Sequence, residues 1–195
     1  TFGSFAKIYD RVTGQVVFQT NRPVGGLSVA NTRFAWIDQW NQDFQVYDQT
    51  GKLLMPTRAF VKNAWLSDTF IAYKTDSTLY LMGRNQKMFQ SENAIGAEVL
   101  LSNDLAVLKL QNNVIQVYGP DRLLFTRVNM KPTLTPNYLA LSDSTGIDLF
   151  RKDGSFAGHF QSGSKVQFAT QVVSIEQAGG VVLLISPSQG FNPQT

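Results

Sequence analysis

The sequence predicts an all-β fold built from repeats of about 35 residues. Two observations support this prediction: a small residue recurs at a nearly constant separation, and each copy lies in a short apolar run of the length of a buried strand. Successive small residues are 37, 34, 34 and 34 positions apart. A period in this range indicates that each repeat is one supersecondary unit stacked on its neighbours. The small residues are Ala35, Ala72, Ala106, Ala140 and Ser174.

Each small residue lies in the second of four strands predicted for its repeat. A small side chain there leaves room for an aromatic or aliphatic side chain of the neighbouring sheet. The second strands are predicted at 33–37, 70–73, 104–108, 138–141 and 172–175. A weaker first strand precedes each of them, at 26–29, 59–62, 98–101, 131–134 and 165–168.

A hairpin of two further strands follows each second strand. In the best copy, Phe44–Tyr47 and Leu53–Met55 are separated by an Asp- and Gly-containing turn at 48–52. The same pattern recurs at 79–89, 115–125 and 147–157. Four short antiparallel strands in about 35 residues are typical of a β-propeller blade.

The chain resembles β-propeller repeat proteins in the broad sense that covers WD40-like and quinoprotein-like blades. The phrase at 46–53 is similar to the outer hairpin of such blades, and the segment at 8–16 repeats it. The resemblance spans nearly the whole chain and implies blades arranged around a central channel. It identifies no functional residue.

We expect about five four-stranded antiparallel blades, with the last blade closed by strands from both ends of the chain. Residues 1–20 would supply its outer strands, and residues 165–176 its first and second strands. The run Val181–Ile185 also has the character of a third strand and competes with Phe5–Tyr9 for that place. Six blades with an incomplete sheet, or part of a larger propeller, therefore remain open. The predicted domain covers 1–186, and the Pro-, Ser- and Gln-rich segment 187–195 is predicted to be a flexible tail or linker.

Charge and composition exclude several classes of partner and site. The net charge is +3, and the basic residues are scattered, which argues against a nucleic-acid partner. The absence of cysteine removes disulfides and thiolate chemistry. No apolar run approaches the roughly 20 residues needed to span a membrane. Charged residues make up only 16% of the chain, and the uncharged polar surface favours a secreted protein or one of the bacterial envelope, including the periplasm.

The loops between second and third strands are expected to surround one mouth of the channel. In one of them, Trp40 lies among Gln39, Asn41 and Gln42, where an aromatic ring can anchor a protein partner or stack on a sugar. These loops supply the candidate binding residues Trp40, Asp38, Asp43, Asp76, Lys109, Asp143 and Glu176.

The sequence predicts a non-catalytic protein-interaction scaffold, a domain or subunit of a larger assembly. It has one histidine, His159, and neither a metal-ligand cluster nor a cofactor motif, so we predict no metal, no cofactor and no catalytic residue. Its predicted loops are short. The alternative is a carbohydrate-binding or glycoside-hydrolysing propeller that uses Trp40 with the carboxylates of Asp38, Asp143 and Glu176.

Overall fold

The computed structural model describes residues 6–57, 60–84, 87–92, 95–169, 173–176 and 182–185. The chain divides into two compact units, residues 1–97 and 98–195. Within the described ranges, the regular structure consists of β-strands and one 3₁₀ turn, Gln111–Asn113. Every strand pairing there is antiparallel and joins strands that follow each other in the chain.

Unit 1 contains one two-stranded sheet and two four-stranded sheets. The two-stranded sheet consists of β1 (Lys7–Tyr9) and β2 (Val16–Gln19). The next consists of β3 (Val24–Val29), β4 (Arg33–Asp38), β5 (Phe44–Asp48) and β6 (Leu53–Thr57). The third consists of β7 (Asn63–Leu66), β8 (Ile71–Lys74), β9 (Leu79–Met82) and β10 (Lys87–Ser91).

Unit 2 contains two four-stranded sheets and one three-stranded sheet. The first consists of β11 (Glu98–Leu101), β12 (Ala106–Lys109), β13 (Val114–Tyr118) and β14 (Leu123–Val128). The second consists of β15 (Lys131–Leu134), β16 (Tyr138–Ser142), β17 (Gly146–Arg151) and β18 (Phe156–Gln161). The third consists of β19 (Lys165–Phe168), β20 (Val173–Glu176) and β21 (Val182–Ile185). The prediction of an all-β fold with repeated four-stranded antiparallel sheets is confirmed.

One first strand was predicted four residues too early. The run 59–62 was expected to form it, but β7 begins at Asn63. Val61 is fully buried instead, in the core that also contains Ala35 and Phe44. Val61 lies in the connection between two sheets and is buried there. A short apolar run predicts burial, but it does not distinguish a buried strand from a buried connection.

The small-residue prediction holds for the second strands with one correction of register. The turn that enters four of these strands is closed by the same backbone hydrogen bond, with N···O distances of 2.8–3.0 Å. In three of these strands, the residue two positions after the hydrogen-bond acceptor is an alanine: Ala35, Ala72 or Ala140. In the third copy, the residue at that position is Val107. Ala106 lies on the opposite face, since neighbouring strand residues alternate. The donor and acceptor residues are Ala30 and Arg33, Ser67 and Phe70, Ser102 and Leu105, and Thr135 and Tyr138.

Within each unit, successive sheets pack face to face through the small residues. Ala35 belongs to a buried cluster with Ile71 of the next sheet, and Ala140 belongs to one with Val173 of the next. Val107 lies in the corresponding cluster with Leu139. Ala35 and Ala140 therefore accept branched aliphatic side chains from the neighbouring sheet, as the repeat pattern predicted, whereas the larger Val107 takes this place in the third copy.

The terminal strands correct one part of the predicted closure. β20 pairs with β19 on one side and with β21 on the other, so Val182–Ile185 takes the third-strand place that had been expected for residues 5–9. Pairing with the next segment of the chain closes a short loop at little entropic cost. A single blade joining both chain ends stays a prediction, and the predicted tail at 187–195 lies outside the described residues.

Candidate functional site

Trp40 lies on an outward-facing loop between β4 and β5. Its side chain is 72% exposed. The loop folds over the carboxylate of Asp38, whose Oδ1 atom accepts hydrogen bonds from the backbone N–H groups of Trp40 (2.8 Å) and Asn41 (3.3 Å). The buried carboxylate thus holds the backbone of Trp40 in place while the indole points away from the core.

Further backbone hydrogen bonds tie the Trp40 loop to its surroundings. The Asp38 N–H donates to the Asp43 carbonyl at 2.9 Å, and the Gln42 N–H donates to the Asp38 carbonyl at 2.8 Å. Gln42 adopts a left-handed conformation with φ of 56°, and its carbonyl accepts the N–H of Val61 at 3.0 Å. An exposed tryptophan is therefore carried by a closed, internally bonded loop.

Asp38 anchors the loop through an ion pair as well. Its Oδ2 atom lies 3.2 Å from Nη1 of Arg22; the Asp38 side chain is 2% exposed and that of Arg22 is 55% exposed. Because both carboxylate oxygens already have partners within the protein, Asp38 serves to hold the backbone of the Trp40 loop. Asp38 was predicted as a binding residue. Arg22 was not predicted, because its spacing of 16 residues from Asp38 follows no local motif.

Asp143 is the organising residue of the corresponding loop between β16 and β17. Its Oδ1 atom accepts hydrogen bonds from the hydroxyl and the N–H of Thr145, both at 2.7 Å, and from the N–H of Gly146 at 3.1 Å. The hydroxyl bond from Thr145 is the main cause that lowers the pKa of the Asp143 carboxyl. Asp143 thus stays ionised as a turn-forming residue.

The remaining predicted site residues make local polar contacts near the surface. The Nζ atom of Lys109 donates to Oε1 of Glu98 at 2.9 Å. The other three pairs are Asp76 with Lys62 at 3.5 Å, Glu176 with Lys165 at 3.7 Å, and Asp43 with Asn41 at 3.1 Å. Each of these side chains has a neighbour within its own unit, and the gathering of all seven candidates at one mouth stays a prediction.

One pair of titratable groups was not predicted. His159 and Asp148 are directly opposite each other on β18 and β17, and the Nδ1 and Oδ1 atoms are 2.8 Å apart. The hairpin register would have revealed the pair, because opposite residues on one face of antiparallel strands have neighbouring side chains. His159 itself is exposed on β18, the outer strand of its sheet.

Within the described part of the chain, no three His, Asp or Glu side chains form a group suited to holding a metal ion. No helix there has the length and apolar character needed to cross a lipid bilayer.

Comparison with known proteins identifies the fold. No protein-family model and no curated protein sequence matches the chain. Among solved structures, Hsv2 from Kluyveromyces lactis is 16% identical over 95% of this chain and 68% of its own, with a TM-score of 0.52. Hsv2 from Kluyveromyces marxianus is 15% identical over 95% of this chain and 70% of its own, also with a TM-score of 0.52.

A third structure, BamB from Moraxella catarrhalis, is 15% identical over 91% of this chain, with a TM-score of 0.48. The chain spans 63% of the BamB structure. The two Hsv2 structures are β-propellers, and the chain accordingly has a β-propeller fold without assignment to a specific family. Identities near 15% establish the fold alone.

Proposed function

We propose that this chain is a non-catalytic protein-interaction scaffold and that the Trp40 loop is its principal anchor. The observation that carries the proposal is the exposure of Trp40, at 72%, on a loop fixed by a buried carboxylate. Tryptophan is enriched among the few residues that dominate binding energy at protein interfaces. An indole left in water on a rigid support is suited to insertion into a partner's pocket.

The rigidity of the loop favours binding for a second reason. Ordering a flexible loop on association costs free energy, and a loop that is already hydrogen-bonded in its bound form avoids most of that cost. The bonds from Trp40 and Asn41 to Asp38, and from Val61 to Gln42, supply this preorganisation.

The state of the carboxylates supports a non-catalytic role. A general acid or base must be free to exchange a proton with substrate. Asp38 is buried against Arg22, and Asp143 is held ionised by its own turn. Both side chains therefore have structural tasks that account for their positions.

Membership of a larger assembly follows from the same reasoning. A propeller of short loops offers rigid edges and faces for other subunits, and an anchor residue on one loop leaves the remaining surface for further contacts. We therefore assign to the chain the role of a domain or subunit that holds a protein partner in a fixed position.

Capture from the native source tests this proposal against the carbohydrate alternative. The immobilised chain, its Trp40→Ala variant and a Leu54→Ala control are exposed to extract, and retained proteins are quantified by mass spectrometry. Leu54 is also exposed but lies on the outer strand β6. In parallel, a glycan array and chromogenic glycosides test sugar binding and cleavage.

We expect a protein retained by the wild type and the Leu54→Ala variant and depleted with Trp40→Ala, and no signal from glycans or glycosides. Equal retention by all three chains, or a glycan signal that requires Trp40, would overturn the proposal.

A further inference from the structure

A polar cavity of about 420 Å³ lies between the first two sheets of unit 2. Part of its lining is Glu98 and Lys109, the first pair of opposite residues on β11 and β12. Lys131 and Ser142, the first pair on β15 and β16, also line it. Equivalent residues of two successive repeats therefore line one space, and every lining residue belongs to unit 2 and to the described ranges.

The charges of these two pairs do not balance. The Nζ atom of Lys109 lies 2.9 Å from Oε1 of Glu98, so these two side chains neutralise each other. Lys131 has a serine opposite it instead, and the hydroxyl of Ser142 donates to the Lys131 backbone carbonyl at 3.3 Å. Lys131 therefore carries the surplus positive charge of the cavity lining.

The last sheet of unit 2 shows the partner that Lys131 lacks. There Lys165 holds the equivalent position on β19, and its Nζ atom lies 3.7 Å from Oε2 of Glu176 on β20. The structure describes every Asp and Glu residue of unit 2, and none of them forms an ion pair with Lys131. An ammonium group on a polar cavity without such a carboxylate favours a bound anion.

Two asparagines supply neutral hydrogen-bonding groups to the same cavity. Asn113 and Asn129 both line it, and both have a left-handed backbone, with φ of 56° and 58°. The Asn129 N–H donates to the Asn113 carbonyl at 2.9 Å, which joins the loop before β13 to the connection before β15. Residues other than glycine adopt this conformation at a cost in free energy, and such residues cluster at ligand sites. The two amide side chains thus start from backbone that this hydrogen bond holds in place.

We propose that this cavity binds a small organic monocarboxylate that also carries an amide or hydroxyl group. The ammonium group of Lys131 binds the carboxylate. The side chains of Asn113 and Asn129, which can donate and accept hydrogen bonds, bind the polar remainder of the ligand. The site uses no residue of the Trp40 loop, so the inference goes beyond the function proposed above.

The charge balance selects a monoanion over a dianion. Lys109 and Lys131 exceed Glu98 by one positive charge, which a single carboxylate neutralises. The second charge of a phosphate dianion would meet the Glu98 carboxylate with no further cation in the cavity lining. A volume of about 420 Å³ also exceeds that of a carboxylate group alone, which leaves room for the rest of the ligand.

Titration of the isotope-labelled full chain, followed by NMR at constant ionic strength, tests the proposal. N-acetylglycine is the probe, because its carboxylate is next to an amide. N-acetylglycinamide is the neutral analogue, and inorganic phosphate at mildly alkaline pH is the dianion. Lys131→Gln removes the surplus charge. Lys152→Gln is the matched control, since Lys152 is also an exposed lysine of unit 2 but does not line the cavity.

We expect N-acetylglycine to give saturable shifts at the backbone amides of Asn113, Asn129 and Lys131, with a dissociation constant of about 1–10 mM. N-acetylglycinamide should give no saturable shifts, because it lacks the charge that Lys131 binds. Lys131→Gln should weaken binding of N-acetylglycine by about tenfold, and Lys152→Gln by less than about twofold.

Glu98→Gln tests the charge balance in the opposite direction. It removes the internal partner of Lys109, so N-acetylglycine should bind about threefold more tightly. Absence of saturable shifts in the wild type, equal shifts with the neutral analogue, or equal losses in Lys131→Gln and Lys152→Gln would each overturn the proposal. Phosphate binding at these residues as tightly as N-acetylglycine would overturn it as well, since the cavity would then have no preference for a monocarboxylate.

Discussion

In the loop at residues 38–43, the side chains of Asp38 and Trp40 have different roles. Asp38 and Trp40 were both predicted to face a ligand. Asp38 instead lies beneath the loop and bonds the backbone of Trp40, and only the indole is exposed. Loop residues have no periodicity that predicts which side chain turns inward, and the partner of Asp38 is Arg22, which is distant in sequence.

Replacing Asp38 with Ala should lower the free energy of unfolding by about 2 kcal/mol, because it leaves two backbone N–H groups without their acceptor. Replacing Arg22 with Ala should cost less than about 1 kcal/mol, since its side chain is half exposed and the ion pair is screened by solvent. Urea unfolding of both variants measures the difference. Equal losses would mean that the ion pair, and not the turn, determines the stability of the loop.

The turn at Asp143 predicts a pH effect of definite sign. Its pKa in the folded chain is lowered from 3.8, so its contribution to stability is present above that value and is lost as the pH falls through the folded pKa. Thr145→Val removes the hydroxyl bond that is the main cause and should raise the pKa of Asp143. Carboxyl-detected NMR titration measures this change.

Thr50→Val is the matched control for that titration. The hydroxyl of Thr50 is the main cause of the lowered pKa of Asp48 in the turn between β5 and β6. This variant should raise the pKa of Asp48 and leave that of Asp143 unchanged. A Thr145→Val protein in which Asp143 titrates as in the wild type would contradict the account of the turn.

At the scale of elements, local patterns predicted most strands, and packing between sheets accounts for the exceptions. Alternating apolar residues and Asp- or Gly-containing turns located the hairpins. The period of 34 residues predicted that Ala106 is the small residue of the third copy. The hydrogen bond that closes the preceding turn shows that Val107 occupies the equivalent position instead. A recurring residue type records the repeat, but turn geometry determines the register.

Overpacking tests the role of the small residues. Ala140→Leu should lower the free energy of unfolding by about 1–3 kcal/mol, because the added atoms meet Val173 and Ile175 of the next sheet. Thr126→Leu, an exposed position on the outer strand β14, should change it by less than about 0.5 kcal/mol. Thermal and urea unfolding compare the two. Equal stability of Ala140→Leu and the wild type would show that the interface between these sheets is not closely packed.

At the scale of the whole molecule, the sequence period predicted the propeller architecture, and the solved propellers agree with it. The arrangement at the chain ends was harder to predict, because pairing between distant segments has no periodic signal. The run at 181–185 was predicted as a competing third strand, and β21 takes that place beside β20. Trp40 was predicted as a binding residue from its polar neighbours, and its side chain is 72% exposed, whereas the identity of a partner is not encoded in any local motif.

The central claim is that binding energy is concentrated at Trp40 while stability resides in the sheets. Once a partner has been captured, its affinity for the wild type, Trp40→Ala and Leu54→Ala chains is measured by titration calorimetry, together with the melting temperature of each. Trp40→Ala should weaken binding by about 2 kcal/mol or more and leave the melting temperature nearly unchanged, while Leu54→Ala should alter neither appreciably. Full affinity with a lowered melting temperature in the Trp40→Ala chain would contradict the claim and make Trp40 a structural residue.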